Sequence, residues 1–103
     1  MNKEKEQIEN TLVKVQEVVE LFYQQSDKEA FEMFMGVLED MATAIDNLAI
    51  YKSKNPDFEM DEQKIAEILK DAMDALQSDD KVLMADILQY DFIEYINELM
   101  DKM

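Results

Sequence analysis

The sequence predicts an all-α fold, namely a four-helix bundle with up-down-up-down topology, formed by one domain over residues 1–103. Composition carries this prediction, since 48% of the residues are hydrophobic, 34% are charged, and the chain has one Gly and one Pro. These two residues are the main punctuation of turns and strands, so their scarcity argues against an all-β fold. A chain of this length and apolar content is expected to bury a single modest core.

The first predicted helix spans about residues 3–25, because apolar residues recur at steps of four and three. Its inward stripe is Ile8, Leu12, Val15, Val19 and Phe22. Ser26 and Glu29 form a capping box, in which each side chain is expected to bond the other's backbone amide. The box predicts a short junction followed by a second helix.

The second predicted helix spans about residues 27–53. Its inward stripe is Phe31, Phe34, Leu38, Met41, Ile45 and Leu48. The one long loop is expected at 52–60 around Asn55-Pro56, because the residue before proline is pushed out of helical geometry.

Asp61 is the expected N-cap of a third helix over about 62–77, and Met60 and Ile65 are spaced to pack across that cap as a hydrophobic staple. Ser78 or Asp79 is the expected cap of a fourth helix over about 81–102. The inward face of this last helix is predicted to be Met84, Leu88, Phe92, Tyr95, Ile96 and Leu99.

Three apolar residues of the fourth helix do not fit this inward face. Leu83, Ile87 and Tyr90 stand at i, i+4 and i+7, on the side that carries acidic residues. We interpret them as the partner-binding residues, which would contact a second subunit in a homodimer or another protein. In the alternative interpretation, the 52–60 loop or a tilt of the helix covers them.

The charge balance limits the partners. The net charge is -15, and all ten cationic side chains are Lys. Such a surface repels nucleic acid and anionic membranes, so neither is an expected partner. A basic protein surface is a partner compatible with this charge. One hypothesis is that the chain is an acidic mimic of nucleic acid, which would bind a basic DNA-binding protein.

No catalytic, cofactor-binding or metal-ligating residue is predicted, since the chain has neither His nor Cys. Glu17 and Glu20 have the Glu-x-x-Glu spacing of magnesium-dependent all-α nucleotide pyrophosphohydrolases. In so acidic a chain, this spacing is interpreted as a solvated helix face. The alternating carboxylates from Asp57 depart from a calcium loop at Glu62, where Gly is required, and at Ile68, where Glu is required.

The chain has no Cys, no apolar leader and no continuous apolar stretch of about 20 residues, so a cytoplasmic protein is predicted. The segment 80–91, DKVLMADILQYD, resembles a run found in small acidic all-helical proteins of Gram-positive bacteria. This resemblance implies a bacterial cytosolic helical protein and no particular activity. In size and acidity the chain is also similar to flagellar export and type III secretion chaperones.

The sequence therefore favours a non-enzymatic protein-protein interaction module that docks a partner through its fourth helix. The alternatives are a flagellar or type III secretion-like chaperone or adaptor, and a magnesium-dependent nucleotide pyrophosphohydrolase.

Overall fold

The computed structural model describes residues 3–103, so the first two residues of the predicted domain lie outside the described range. Over these residues the fold is all-helical, with four helices and no strand. The first three are α1 (Lys3–Tyr23), α2 (Asp27–Lys54) and α3 (Glu62–Gln77). The fourth helix, α4, consists of an α-helical stretch, a π-helical stretch and a second α-helical stretch: Lys81–Asp86, Ile87–Ile93 and Glu94–Asp101. The predicted all-α class and the predicted number of four helices are therefore confirmed.

Helix boundaries agree with the prediction within two residues at every end, which is the usual uncertainty of such boundaries. The largest difference is at α1, which ends at Tyr23 because Gln25 adopts a left-handed conformation with φ 63°. A right-handed helix cannot continue through a residue with this backbone geometry.

One hydrophobic core joins all four helices and the connection between α2 and α3. The predicted inward residues of α1 are all buried, as are most of those predicted for α4. The largest side chains with almost no exposure are Phe34, Phe92, Ile8, Met41, Leu48, Met84, Leu88, Ile96 and Leu99. Burial of such side chains, at about 1.5–3 kcal/mol each, is the main force that holds the helices together.

The helices neighbour one another in a definite order. The most extensive pairing is between α1 and α2, and α4 packs against α1 on one side and against α3 on the other. Six residues of α2 at alternating steps of four and three face the core: Ala30, Phe34, Val37, Met41, Ala44 and Leu48. Three of them, at steps of seven, are the smaller residues Ala30, Val37 and Ala44. Small side chains at a helix contact reduce the distance between the two axes. The predicted stripe residues Phe31, Leu38 and Ile45 each follow one of these small buried residues and lie at the edge of the inward face, so they are only half-buried.

The two short junctions are built alike. Each ends in a left-handed residue followed by an N-cap: Gln25 and Ser26 before α2, and Asp79 and Asp80 before α4. In both, the N-cap amide bonds the carbonyl five residues back, as in a Schellman motif. Lys81 at the start of α4 forms ion pairs with Asp27 (3.4 Å) and Asp79 (3.1 Å), so the two junctions lie side by side.

Two of the predicted caps require correction. Asp80 rather than Ser78 or Asp79 caps α4, and its Oδ1 accepts a hydrogen bond from the Leu83 amide at 3.0 Å. Asp79 is unsuitable because its φ of 57° is left-handed, whereas an N-cap residue is normally extended. Ser26 is the N-cap of α2 by position, but its ψ of 59° falls short of the extended region and its side chain makes no cap hydrogen bond. The predicted capping box is therefore wrong.

The connection between α2 and α3 is held by its own side chains. Phe58 is buried and meets the Tyr51 ring edge-on with centroids 4.9 Å apart, and its carbonyl accepts a hydrogen bond from Lys52 Nζ at 3.2 Å. The predicted staple residues Met60 and Ile65 are both buried in the core. Because Phe58 and Met60 fill core positions, the connection fixes where α3 starts.

Candidate functional site

The most distinctive backbone feature of the chain lies in the helix that was predicted to bind a partner. Met84, Leu88, Phe92 and Ile96 follow one another at steps of four, and every one is buried. The three steps add up to twelve residues. Three α-helical turns take up only about 10.8 residues. The π-helical stretch Ile87–Ile93 accommodates the extra residue through i→i+5 hydrogen bonds, which keeps the four side chains on one face. π-Helical stretches are rare in proteins, and those that do occur are often found at functional sites.

The structure separates the three predicted partner-binding residues. Leu83 is 46% exposed and Tyr90 is 62% exposed, as predicted, whereas Ile87 is only 8% exposed. The prediction that Ile87 faces solvent is therefore wrong. Ile87 lines a recess together with Asp71, Asp74 and Ala75, so α3 lies beside it.

Burial of Ile87 gives the surface between α3 and α4 the form of a groove. Its first part, a cavity of about 480 Å³, has an apolar floor of Ala75 and Ile87, with the apolar side chain of Leu83 at its edge. The polar residues around this floor are Asp71, Asp74, Ser78 and Asp80. Leu83 and Ile87 thus line one recess together, one as its exposed edge and the other as its base.

The second part of the groove adjoins the first at Asp71 and has a volume of about 350 Å³. Tyr90 and Ile68 provide apolar surface here. Its far wall is Tyr95, whose hydroxyl accepts a hydrogen bond from the Asp61 amide at 2.8 Å. The Lys64 ammonium lies 4.4 Å from the centre of the Tyr95 ring, a cation-π contact that also fixes this side chain.

We call these two recesses together the α3–α4 groove. Its rim is strongly acidic, with seven carboxylate side chains and a single Lys, against 25 and 10 in the whole chain. The seven are Glu67, Asp71 and Asp74 on α3, Asp80 at the junction, and Asp91, Glu94 and Glu98 on α4. None of them forms an ion pair with another side chain of residues 3–103.

The opposite flank of α4 faces α1 and is tied by one polar contact. The Tyr23 hydroxyl donates a short hydrogen bond to Asp86 Oδ1, next to the start of the π-helical stretch. This hydrogen bond to a carboxylate, with smaller contributions from burial and nearby negative charge, raises the pKa of Tyr23 to about 12. At the junction, hydrogen bonds to Asp79 and Asp27 raise the pKa of Lys81.

The carboxylates considered for metal chemistry do not converge. Glu17 and Glu20 are both exposed on α1. In the connection, Asp61 Oδ1 accepts a hydrogen bond from the Lys64 amide at 3.0 Å and so caps α3 as predicted. Within residues 3–103, no three acidic side chains are grouped closely enough to hold a metal ion.

Sequence reasoning missed the α3 wall of the groove. Glu67, Asp71 and Asp74 are spaced at i, i+4 and i+7, the same spacing as Leu83, Ile87 and Tyr90. That spacing places them on one helix face and was the available signal. What the sequence could not supply was the pairing of this acidic face with the apolar face of α4.

Comparison with known proteins places the chain in a family. Residues 1–102 match a family described as "Domain of unknown function (DUF8042)". The chain belongs to the DUF8042 family. No curated protein and no solved structure matches it. Over residues 3–103, none of the helices of this DUF8042 domain is both long enough and apolar enough to cross a bilayer.

Proposed function

We propose that the chain is a non-enzymatic protein-interaction module that docks a protein partner in the α3–α4 groove. The observation that carries the proposal is the groove itself, in which exposed Leu83 borders the recess that contains Ile87 and exposed Tyr90 lines the adjoining recess. Partly exposed apolar side chains around a recess are what an interface anchor requires, because the partner's side chain can be desolvated on several sides.

Two exposed apolar residues elsewhere on the surface are weaker candidates for a docking site. Val13 (59% exposed) on α1 and Met35 (52% exposed) on α2 are comparably exposed, but neither lines a described recess. Single exposed apolar residues are normal on a folded protein. These two residues therefore provide a matched control for the groove residues.

The proposal is tested by affinity capture with three versions of the protein: wild type, a Leu83→Ser/Tyr90→Ser groove variant and a Val13→Ser/Met35→Ser control variant. All four side chains are exposed, so each variant is expected to keep its helical circular dichroism. We expect wild type and control to retain the same binding protein from a lysate and the groove variant to lose it. Equal retention by the groove variant would contradict the proposal.

Several finer points are part of the same proposal. The scaffold is the predicted up-down-up-down bundle, supported by the side-by-side position of the two short junctions. We place the protein in a bacterial cytoplasm on the absence of Cys and on the resemblance of segment 80–91.

A secretion chaperone would use the same groove, and it would differ by keeping one aggregation-prone client in solution.

The partner we propose is another protein and not a second copy. Two copies that met through this groove would bring seven carboxylates against seven. Like charges held that close oppose association by several kcal/mol.

A further inference from the structure

We propose that the occupant of the α3–α4 groove is an amphipathic helix that carries Lys or Arg along both edges of its apolar face. This inference rests on the proposed function and names the chemistry of the partner. It follows from the shape of the groove, from the charge of its rim and from the difference between this groove and the other recesses of the surface.

The shape of the groove favours a helix. Leu83, Ile87 and Tyr90 follow one another at i, i+4 and i+7, and the groove continues along α4 as far as Glu98. The sixteen residues from Leu83 to Glu98 correspond to about 24 Å of helix. A groove of this length between two helical walls, with apolar lining from Ala75, Leu83 and Ile87 in its first part and from Ile68, Tyr90 and Tyr95 in its second, matches the anchors that an amphipathic helix presents at i, i+3, i+4 and i+7.

The rim decides the charge of the partner. Acidic residues line both walls, Glu67, Asp71 and Asp74 on α3 and Asp91, Glu94 and Glu98 on α4. Within residues 3–103 they make no ion pairs, so their mutual repulsion is not relieved inside the domain. A helix with cations on both edges of its apolar face would place opposite charge over each wall, which favours its capture and its orientation.

This concentration of charge is local and does not simply repeat the acidity of the chain. The recess between α1 and α2 is lined by Lys3 and Lys14 as well as Glu6 and Asp40. The recess beside the connection between α2 and α3 has Lys102 near Asp57 and Glu59. Only the α3–α4 groove combines an apolar floor with a ratio of seven carboxylates to one Lys among these described recesses.

The experiment uses the full chain and three fluorescent peptides of ~18 residues, long enough for about 27 Å of helix. The first has Leu at i, i+3, i+4 and i+7 with Lys on both flanks. The second has the same Leu positions with Glu on the flanks. The third has the composition of the first with its Leu positions scrambled. We expect fluorescence anisotropy to show binding of the first peptide only.

Two sets of variants separate charge from apolar contact. Neutralising the rim by Glu67→Gln, Asp71→Asn and Asp91→Asn is expected to weaken binding of the first peptide by about tenfold, from roughly 0.5 kcal/mol for each lost charge. The matched control changes three exposed carboxylates of α1 and α2, Glu9→Gln, Glu39→Gln and Asp46→Asn. It alters the net charge equally and is expected to leave the affinity within about threefold of wild type.

The outcomes distinguish this inference from the proposed function. If the scrambled or Glu-flanked peptide binds as tightly as the first, or if rim and control variants behave alike, the basic helix is the wrong partner. In that case the proposed function still stands when Leu83→Ser/Tyr90→Ser loses its captured protein. Absence of binding by all three peptides, or dimerisation of the free chain through the groove in sedimentation, also overturns the inference.

Discussion

At the scale of single residues, the contact between Tyr23 and Asp86 carries the largest electrostatic consequence. It joins α1 to α4 through a phenol hydroxyl that donates to a carboxylate. Loss of the phenol proton would break this hydrogen bond, and to a smaller extent it would leave a charged group partly buried beside another negative charge, so the pKa of Tyr23 is raised to about 12 from the ordinary 10.0.

This raised pKa predicts a specific alkaline instability. Because the pKa is higher in the folded state, the contact stabilises the fold fully below pH 10 and loses this effect as the pH rises towards 12. Tyr23→Phe is therefore expected to remove part of the decrease in melting temperature between about pH 10 and 12.

Absorbance of the tyrosinate form measures the same property directly. We expect Tyr23 to ionise late in wild type, and this late component to be absent from Tyr23→Phe. Asp86→Asn keeps the phenol and removes the carboxylate, so it should move the late component back towards pH 10. A late component that persists in Tyr23→Phe would assign the raised pKa to another residue.

Single residues also show where sequence reasoning succeeds and where it stops. Asp61 was predicted as a cap because an acidic residue there precedes an apolar periodic run, and it makes the expected bond to the Lys64 amide. Asp79 has the same chemistry and fails, because the backbone at that position is left-handed. Composition signals a cap near a boundary, but only the backbone geometry decides which residue forms it.

At the scale of elements, the two helix junctions use residues that are not ideal for their backbone. Gln25 and Asp79 adopt φ values of 63° and 57°, a conformation for which glycine is preferred after a helix. For a residue with a Cβ this conformation costs roughly 1–2 kcal/mol. Asp tolerates it better than Gln, since its short side chain can bond the local backbone.

Gln25→Gly is therefore expected to stabilise the protein. Relief of the backbone strain, less the entropy that glycine loses on folding, leaves a gain of about 0.5–1 kcal/mol. For a domain of this size that gain corresponds to a rise in melting temperature of roughly 2–8 °C. Asp79→Gly should gain less, and Gln24→Gly serves as the neighbouring control with no such gain. A lower melting temperature for Gln25→Gly would contradict the explanation.

Element packing explains what the sequence missed in α2 and in the candidate site. Alanine is compatible with both a core and a surface, so the buried Ala30 and Ala44 gave no signal, and the large residue Phe31 was placed too far inward. Ile87 was misplaced for a similar reason. A helix wheel assigns faces to α4 alone and cannot show that α3 lies beside it. The all-helical fold was predictable from periodicity, whereas the groove depends on how two helices meet.

At the scale of the whole molecule, the balance of charge dominates. The net charge is -15, and Lys14 and Lys81 form ion pairs with Asp40, Asp27 and Asp79. These pairs are exposed and contribute little stability. Repulsion between the remaining carboxylates thus acts against the compact fold.

Added salt should therefore stabilise the domain. The screening length falls from about 30 Å at 0.01 M to about 10 Å at 0.1 M, so long-range repulsion weakens over this range. We expect the melting temperature to rise by several degrees from low to moderate sodium chloride. The rim variant Glu67→Gln/Asp71→Asn/Asp91→Asn should start from a higher value and rise less. A melting temperature that is independent of salt would show that repulsion does not limit stability.

The tyrosines of the α3–α4 groove have a practical consequence for spectroscopy. The chain has no Trp and four Tyr, and two of these, Tyr90 and Tyr95, line the groove. Intrinsic emission of the domain therefore comes from phenol rings, half of which lie where a ligand would exclude water. Titration of the unlabelled protein with a peptide that lacks aromatic residues would thus report occupancy of the groove through the intrinsic tyrosine fluorescence of the domain, without an attached dye.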